Sequence, residues 1–237
     1  MRVQLQPAYL LHQRPFRDTS QLLELFTAEH GRISLVARGV RRRSRGGSVA
    51  ALLQAFTPLL VSFSGRSELR TLTQVEAVAP TRLLRGEHLY SALYLNELLV
   101  RLLHRHDPHP ALFAAYGEAL ELLQGGADLD RVLRSFELSL LDGLGYSFSL
   151  REDGRSGEPL RDEAWYLFDP DLGLVEAPAG ASPVYPGADL LAIGRGDYSD
   201  GAGRTAKRLM REALAVHLGP APLRNRELFR ARRPGAG

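Results

Sequence analysis

The spacing of apolar residues changes abruptly at Pro80, and no other feature restricts the fold of this chain as strongly. Before Pro80, apolar residues alternate or cluster in short runs bounded by glycine, proline and polar turn residues, which predicts four or five short strands. The clearest runs are residues 3–12, 33–40, 57–63 and 69–78, and Pro7 suits an early or edge strand. Residues 22–26 fit either a helix or a strand. This density of strands indicates a small barrel or sandwich.

After Pro80, leucines recur at helical spacing. Three helices are predicted over residues 83–106, 111–124 and 129–144, ended by Asp107-Pro108, Gly125-Gly126 and Gly145. Together they are expected to form a bundle. A short hairpin is predicted near residues 165–175, and a last long helix over residues 205–218. The chain is therefore predicted to be an α+β protein of two or three small units.

The charge of the chain is modest overall, at +3, but unevenly distributed and almost wholly arginine, since Lys207 is its only lysine. No Asp or Glu occurs from residue 30 to residue 67, where seven arginines follow one another: Arg32, Arg38, Arg41, Arg42, Arg43, Arg45 and Arg66. Like charges that lack a counterion repel each other when a domain folds, so this stretch favours a polyanion such as nucleic acid as its partner. The alternative interpretation is a solvated loop.

A second basic surface is predicted on the last long helix. Its cations recur at spacings of three and four and so share one face: Arg204, Lys207, Arg208 and Arg211. A solvated helix face explains this pattern equally well. With Arg70 added at the far rim of the strand region, these residues and the seven arginines above make up the predicted nucleic-acid-binding set.

Catalytic and metal-binding patterns are weak. The chain has no cysteine, which excludes disulfides, thiolate zinc sites and cysteine nucleophiles. His104, His106, Asp107 and His109 have metal-binding side chains, but their spacing matches no established ligand pattern, and no metal is predicted. The glycine-rich segment 194–203 fails as a dinucleotide or ATP loop because the required third glycine and lysine are missing. We therefore predict a protein that is not an enzyme and has no cofactor.

Targeting signals are also missing from the sequence. The first 25 residues contain no uninterrupted apolar segment of the signal-peptide type, and no stretch approaches the roughly 20 apolar residues of a membrane helix. The expected location is the cytoplasm.

Five stretches, in order along the chain, resemble one family. They are AYLLHQRPFRDTSQLLELFTAEHGRISLVARGVR (8–41), QAFTPLLVSFSGRSELRTLTQVEA (54–77), LYSALYLNELLVRLL (89–103), FELSLLDGLGY (136–146) and PLRNRELFR (222–230). The chain thereby resembles the bacterial DNA repair protein RecO family over most of its length.

The resemblance implies a fold and a division into regions. Residues 1–80 would form an OB-fold barrel, in which residues 22–26 are a strand, residues 81–145 a helical domain, and residues 146–237 a C-terminal region with terminal helices. Many relatives carry a four-cysteine zinc module after the helices, whereas residues 146–164 here contain no cysteine. The zinc module is therefore expected to be degenerate and to be held by packing around Trp165 and Tyr166.

The resemblance also implies a function. Such proteins bind single- and double-stranded DNA, anneal complementary strands, contact the acidic tail of single-stranded DNA-binding protein and, with RecR, help RecA to load. For the tail we predict a pocket made by Tyr90, Tyr94, Leu98 and Arg134, because a terminal phenylalanine needs an apolar hole and its carboxylate a guanidinium. These side chains also fit a plain helical core. A nucleoid-associated protein is expected, and the alternatives are an RNA-associated OB-fold factor and a metal-dependent nuclease.

Overall fold

The computed structural model describes residues 2–40, 49–80, 83–223 and 225, and the following statements concern those residues. Contacts divide the chain into two compact units, Met1–Gly126 together with Leu223–Gly237, and Ala127–Pro222. The first unit therefore holds two of the three predicted central helices, and the second unit holds the third. The division at residues 80 and 145 that the resemblance implies stays a prediction.

The first unit is built on a closed five-stranded barrel with the strand order β1-β2-β3-β5-β4. Its strands are β1 (Arg2–Phe16), β2 (Ser20–Thr27), β3 (Gly31–Ala37), β4 (Leu59–Ser64) and β5 (Leu69–Ala77), and the four-residue helix α1 (Val49–Leu52) precedes β4. All neighbouring pairs are antiparallel except β3 and β5, which are parallel. This arrangement confirms the OB-fold prediction and settles residues 22–26 as part of a strand.

Pro7 was predicted to lie in an early or an edge strand, and it lies in the first strand. β1 is not an edge strand, because it pairs with a neighbour along each of its two edges. Its first half pairs with β4 and its second half with β2, and Ala8 has a partner on each. Shifts in register near Val3 and Leu10 allow one strand to bend from one neighbour to the other. Inside the barrel lies an apolar core formed by alternate residues, among them Leu10, Leu25, Leu35, Val61 and Phe63.

Helices α2 (Gly86–Leu102) and α3 (Pro110–Gln124) belong to the same unit as the barrel. A buried polar chain connects them to β1, because the Tyr116 hydroxyl donates to Asn96 and the Asn96 amide donates to the Leu11 carbonyl at 2.9 Å. Near the C-terminus, the Asn225 backbone N–H donates to the Glu97 carboxylate on α2 at 2.9 Å. The outer wall of the barrel is thus partly covered by helices and is not simply a solvent face.

The second unit contains α4 (Leu129–Gly143), a three-stranded sheet, and two further helices, α5 (Gly187–Gly194) and α6 (Asp200–Leu218). The sheet has the order β7-β6-β8, with β6 (Trp165–Asp169), β7 (Gly173–Glu176) and β8 (Tyr185–Pro186). Asp128 caps α4 by accepting the Arg131 N–H at 2.8 Å. The last helix begins five residues earlier than the predicted start at residue 205. None of the helices in the described ranges is long and apolar enough to cross a membrane.

Candidate nucleic-acid interface

The first two predicted basic residues, Arg32 in β3 and Arg38 just after it, lie on different surfaces. Ile33, Leu35 and Ala37 point into the core and are at most 1% exposed. Arg38 follows the last strand residue and is exposed, at the point where the chain leaves the barrel. The four arginines that come next, Arg41, Arg42, Arg43 and Arg45, lie outside the described residues.

Arg32 lies on the outer side of β3 but is held inside the unit. Its guanidinium contacts the Glu24 carboxylate at 3.4 Å and donates through Nε to the Leu103 carbonyl at 3.1 Å. Burial lowers the pKa of Arg32, the attraction of Glu24 opposes that effect, and Arg105 reinforces it. The expectation that nothing nearby neutralises this arginine is therefore wrong.

Glu24 is the group that sequence reasoning missed at this surface. This buried carboxylate also accepts from the Ser34 hydroxyl at 2.6 Å and from Arg105 at 3.1 Å. The strand register offered a signal, since Glu24 is the cross-strand partner of Ser34. Arg105, by contrast, reaches the pair from the segment between α2 and α3, which no local pattern reveals.

Arg66 and Arg70 flank the turn between β4 and β5. Arg66 is exposed, whereas Arg70 is half-buried with its guanidinium carbon 5.4 Å from the centre of the Phe63 ring. A cation over an aromatic face is stabilised by the ring quadrupole, so Arg70 covers the end of the barrel core as well as carrying charge.

Helix α6 presents the second predicted surface, and all four of its cations are exposed: Arg204, Lys207, Arg208 and Arg211. The opposite face, with Ala206, Leu209, Met210 and Ala213, is buried. Arg208 lies over the Tyr185 ring at 4.7 Å and donates to the Val184 carbonyl. Among the described side chains, no carboxylate forms an ion pair with any of the four.

Comparison with known proteins identifies the family behind this geometry. The family model described as recombination protein O N terminal matches residues 1–81, and the one described as recombination protein O C terminal matches residues 84–227. The chain belongs to the RecO family. Proteins named DNA repair protein RecO are 50% identical in Methylococcus capsulatus, over 97% of this chain and 94% of the relative, and 47% identical in Cellvibrio japonicus, over 97% and 98%. That of Pseudomonas putida is 46% identical over 96% and 97%.

RecO membership assigns the chain to DNA repair and recombination and agrees with a DNA-binding barrel. The two family models meet near residue 82, close to the change of apolar spacing at Pro80. The resemblance drawn from the five sequence stretches is therefore confirmed.

The residues chosen for the tail of single-stranded DNA-binding protein are largely enclosed. Leu98 is fully buried, and Tyr90 and Tyr94 are half-buried on α2. Arg134, in the second unit, is 5% exposed and contacts Glu137 at 2.8 Å. Neither Leu98 nor Arg134 is accessible to a peptide in this structure, and the tail contact stays a prediction.

A cavity of about 440 Å³ in the first unit lies beside β1 and α3. Among the described residues, its lining includes Tyr9, Phe56, Leu120, Glu121 and Gln124 but no arginine or lysine. An acidic peptide would meet the Glu121 carboxylate there, and none of the described lining residues offers a compensating cation, so the described lining does not favour the predicted tail.

One carboxylate organises the cysteine-free segment of residues 146–164, for which the sequence predicted a degenerate zinc module. Asp153 is buried and accepts backbone N–H groups from Arg155 and Ser156 at 2.8 Å and from Glu176 at 2.6 Å. Tyr166 is buried as predicted, but Trp165 is 53% exposed, so the expected packing around Trp165 is wrong. Within the described residues, no group of three or more metal-binding side chains is arranged to hold an ion.

Proposed function

We propose that this chain is a non-enzymatic recombination mediator that binds single- and double-stranded DNA and anneals complementary strands. The observation that carries the proposal is the exposed cationic face of α6, formed by Arg204, Lys207, Arg208 and Arg211. Three guanidinium groups and one ammonium group that form no ion pair within the described part of the chain are suited to phosphate oxygens. The family assignment supplies DNA as the polyanion.

The basic barrel edge would be the first DNA site and α6 the second. Arg38 and Arg66 are exposed on the barrel, and Arg41, Arg42, Arg43 and Arg45 follow Arg38 in sequence. Phosphate repulsion is the main electrostatic obstacle to pairing two strands. A protein with two cationic surfaces screens that repulsion and lets the bases find their complements without ATP hydrolysis.

The same role implies protein partners. With RecR, the chain would help RecA to load on DNA coated by single-stranded DNA-binding protein, whose acidic tail it would contact. Family membership supports these contacts, and the chemistry of an acidic tail fits a basic chain. The residues that would contact these partners are proposed from the sequence alone.

Salt dependence of DNA binding tests the first surface. Replacing Arg41, Arg42 and Arg43 with alanine should weaken binding to all sequences alike and reduce the slope of log affinity against log salt by roughly 0.7 to 0.9 per lost contact. Affinity is measured by fluorescence anisotropy of a labelled oligonucleotide over a salt series. Alanine at the exposed Arg151 and Arg155 is the matched control, because neither belongs to a proposed surface.

An unchanged salt slope in the triple variant would count against the barrel edge as a DNA site. Annealing of complementary strands coated with single-stranded DNA-binding protein, without ATP, tests the activity itself. Competition between DNA and RNA of one sequence decides between the proposal and an RNA-associated factor, since a protein that needs 2′-hydroxyl groups prefers RNA.

A further inference from the structure

The histidine-bearing segment between α2 and α3 is fixed on the barrel wall. Arg105 pairs with Arg32 as a parallel β-bridge, and the His106 N–H donates to the Arg32 carbonyl at 3.0 Å. At Gly31 the two backbones lie so close that a Cβ atom would be 2.0 Å from the Asp107 carbonyl oxygen. Only glycine fits there, which places the segment at a defined position against the barrel.

This position brings His106 into a group of charged side chains. The groups that act on it electrostatically come from the β2–β3 turn, the start of β5 and its own segment, and they are His30, Glu68, Arg70 and Arg105. The His30 ring and the Arg70 guanidinium both contact the Phe63 ring. They lie 5.6 Å and 5.4 Å from its centre, respectively. Arg66 lies in the same turn as Glu68. We call Arg70, Arg105 and His106, together with Arg66 from this turn, the His106 cluster.

Most of the carboxylates near the cluster already contact a basic side chain. Glu24 is shared by Arg32 and Arg105, and Asp107 contacts His109 at 3.3 Å. Glu68 is the exposed carboxylate at the turn that carries Arg66. The arginines of the cluster therefore outnumber the carboxylates that are not already paired, and protonation of His106 adds one more positive charge.

We propose that the His106 cluster binds a backbone phosphate of nucleic acid, as a subsite of the barrel surface described above. The inference rests on the proposed DNA binding and adds to it residues from the α2–α3 segment, which the arginine pattern did not indicate. Arg66 is exposed and the Arg105 side chain is 45% exposed, and both carry planar donors that suit phosphate oxygens. Arg105 also contacts Glu24 at 3.1 Å through one of its terminal nitrogens, and Arg70 lies over the Phe63 ring.

The histidine makes this subsite dependent on pH. Burial lowers the pKa of His106, and Arg70, Arg105 and His30 lower it further against the opposing attraction of Glu68. Free His106 therefore takes up a proton only at a lower pH than an ordinary histidine does. A bound phosphate adds a negative charge, which favours the protonated ring and raises the pKa of His106 in the complex. Because the pKa is higher in the complex, the added affinity is present below the free pKa and is lost as pH rises through the bound pKa.

The experiment compares DNA affinity at about pH 6 and about pH 8, in wild type and in His106→Asn. Asparagine tolerates the positive φ of 62° at this position and does not titrate near neutral pH. The probe is oligo(dT) without a terminal phosphate, so that the ligand itself does not titrate in this range. The matched control is His217→Asn, because burial alone lowers the pKa of His217, which stacks on Tyr146 at 3.7 Å.

Wild type and His217→Asn should bind more tightly at the lower pH, by at most about tenfold for each pKa unit that phosphate adds to His106. His106→Asn should lose most of this dependence and match the affinity of wild type at high pH. A fully retained pH dependence in His106→Asn would overturn the inference and leave the proposed DNA binding intact. An absence of DNA binding at every pH would instead overturn the proposed function.

Discussion

Two buried carboxylates organise loops or strands in different units, Glu24 in the first and Asp153 in the second, and they are satisfied in different ways. Glu24 in the first unit is surrounded by side chains, two arginines and the Ser34 hydroxyl. Asp153 in the second unit is surrounded by backbone, with N–H groups of Arg155, Ser156 and Glu176. The first solution requires cations, and the second requires none.

This difference explains which basic residues remain available for DNA. In the first unit, Glu24 pairs with Arg32, which belongs to the basic stretch, and with Arg105, so that Arg32 serves the fold. In the second unit, Arg134 pairs with the buried Glu137, but the backbone satisfies Asp153, and the four cations of α6 stay on the surface without an ion pair among the described residues. A count of basic residues along a sequence therefore overestimates how many of them are available to bind DNA when a carboxylate from another strand lies nearby.

The largest effect is expected for Glu24→Ala. Removing the carboxylate leaves the half-buried guanidinium of Arg32 and the Ser34 hydroxyl without their partner, and breaking a buried pair from one side costs about 3 kcal/mol. Urea denaturation followed by circular dichroism measures the loss of unfolding free energy. The exposed Glu29→Ala, on the neighbouring turn, is the control and should change stability by less than about 0.5 kcal/mol.

Glu24→Gln separates charge from shape in the same comparison. The amide keeps the size of the side chain and an acceptor for Ser34 but removes the negative charge that two arginines share, so we expect a loss of about 2 kcal/mol. A loss of less than about 1 kcal/mol in both Glu24 variants would show that the arginines do not depend on this carboxylate, and the contrast with Asp153 would disappear.

Much of the fold was predictable because it depends on local periodicity. The alternation of Ile33, Leu35 and Ala37 predicts which side of β3 is buried, and leucine spacing predicts α2, α3 and α4. The strand at residues 22–26 was ambiguous, because Leu22, Leu23, Leu25 and Phe26 fit both periods. Only the long-range pairing of this segment with β1 and β3 decides between a helix and a strand.

The candidate site was predictable where exposure follows from one element alone. The basic face of α6 follows from helical spacing, and the structure exposes all four cations. Arg32 could not be assigned in this way, since its partners come from β2 and from the α2–α3 segment, 8 and 71 residues away. The role of Asp153 was equally hidden, because its acceptor contacts depend on how the loop folds back on β7.

A smaller loss than for either Glu24 variant is expected for Asp153→Asn, about 1.5 kcal/mol, since the amide offers a single weaker acceptor to three N–H groups. Burial alone would raise the pKa of Asp153, but the backbone N–H groups and the Ser156 side chain hold it below its ordinary value. A lowered pKa stabilises the fold above the unfolded pKa of about 3.9 and loses that contribution as pH falls through the folded pKa.

The difference between wild type and Asp153→Asn should therefore be full near neutral pH and shrink below about pH 4. Asp162→Asn is the matched control, because the Asp162 side chain is exposed nearby in the same unit. Hydrogen exchange at the Glu176 and Ser156 amides reports the local loss directly. Unchanged protection of these amides in Asp153→Asn would mean that packing, not the carboxylate, holds the segment together.

The smallest effect on stability is expected for the double variant Lys207→Ala, Arg211→Ala. This variant should nevertheless weaken DNA binding. Both side chains are exposed and have no ion pair among the described residues, so unfolding free energy should change by less than about 0.5 kcal/mol. Each lost phosphate contact should reduce the salt slope of DNA binding by roughly 0.7 to 0.9, without sequence preference. Arg208 is kept in this variant because it covers Tyr185 and its loss would disturb packing.

A variant with full stability but a reduced salt slope separates the binding role of α6 from the structural role of Arg32, whose own replacement should lower stability. If the double variant instead lost stability and kept the salt slope, the cations of α6 would resemble Arg32, and the two units would no longer differ in how they use their basic residues.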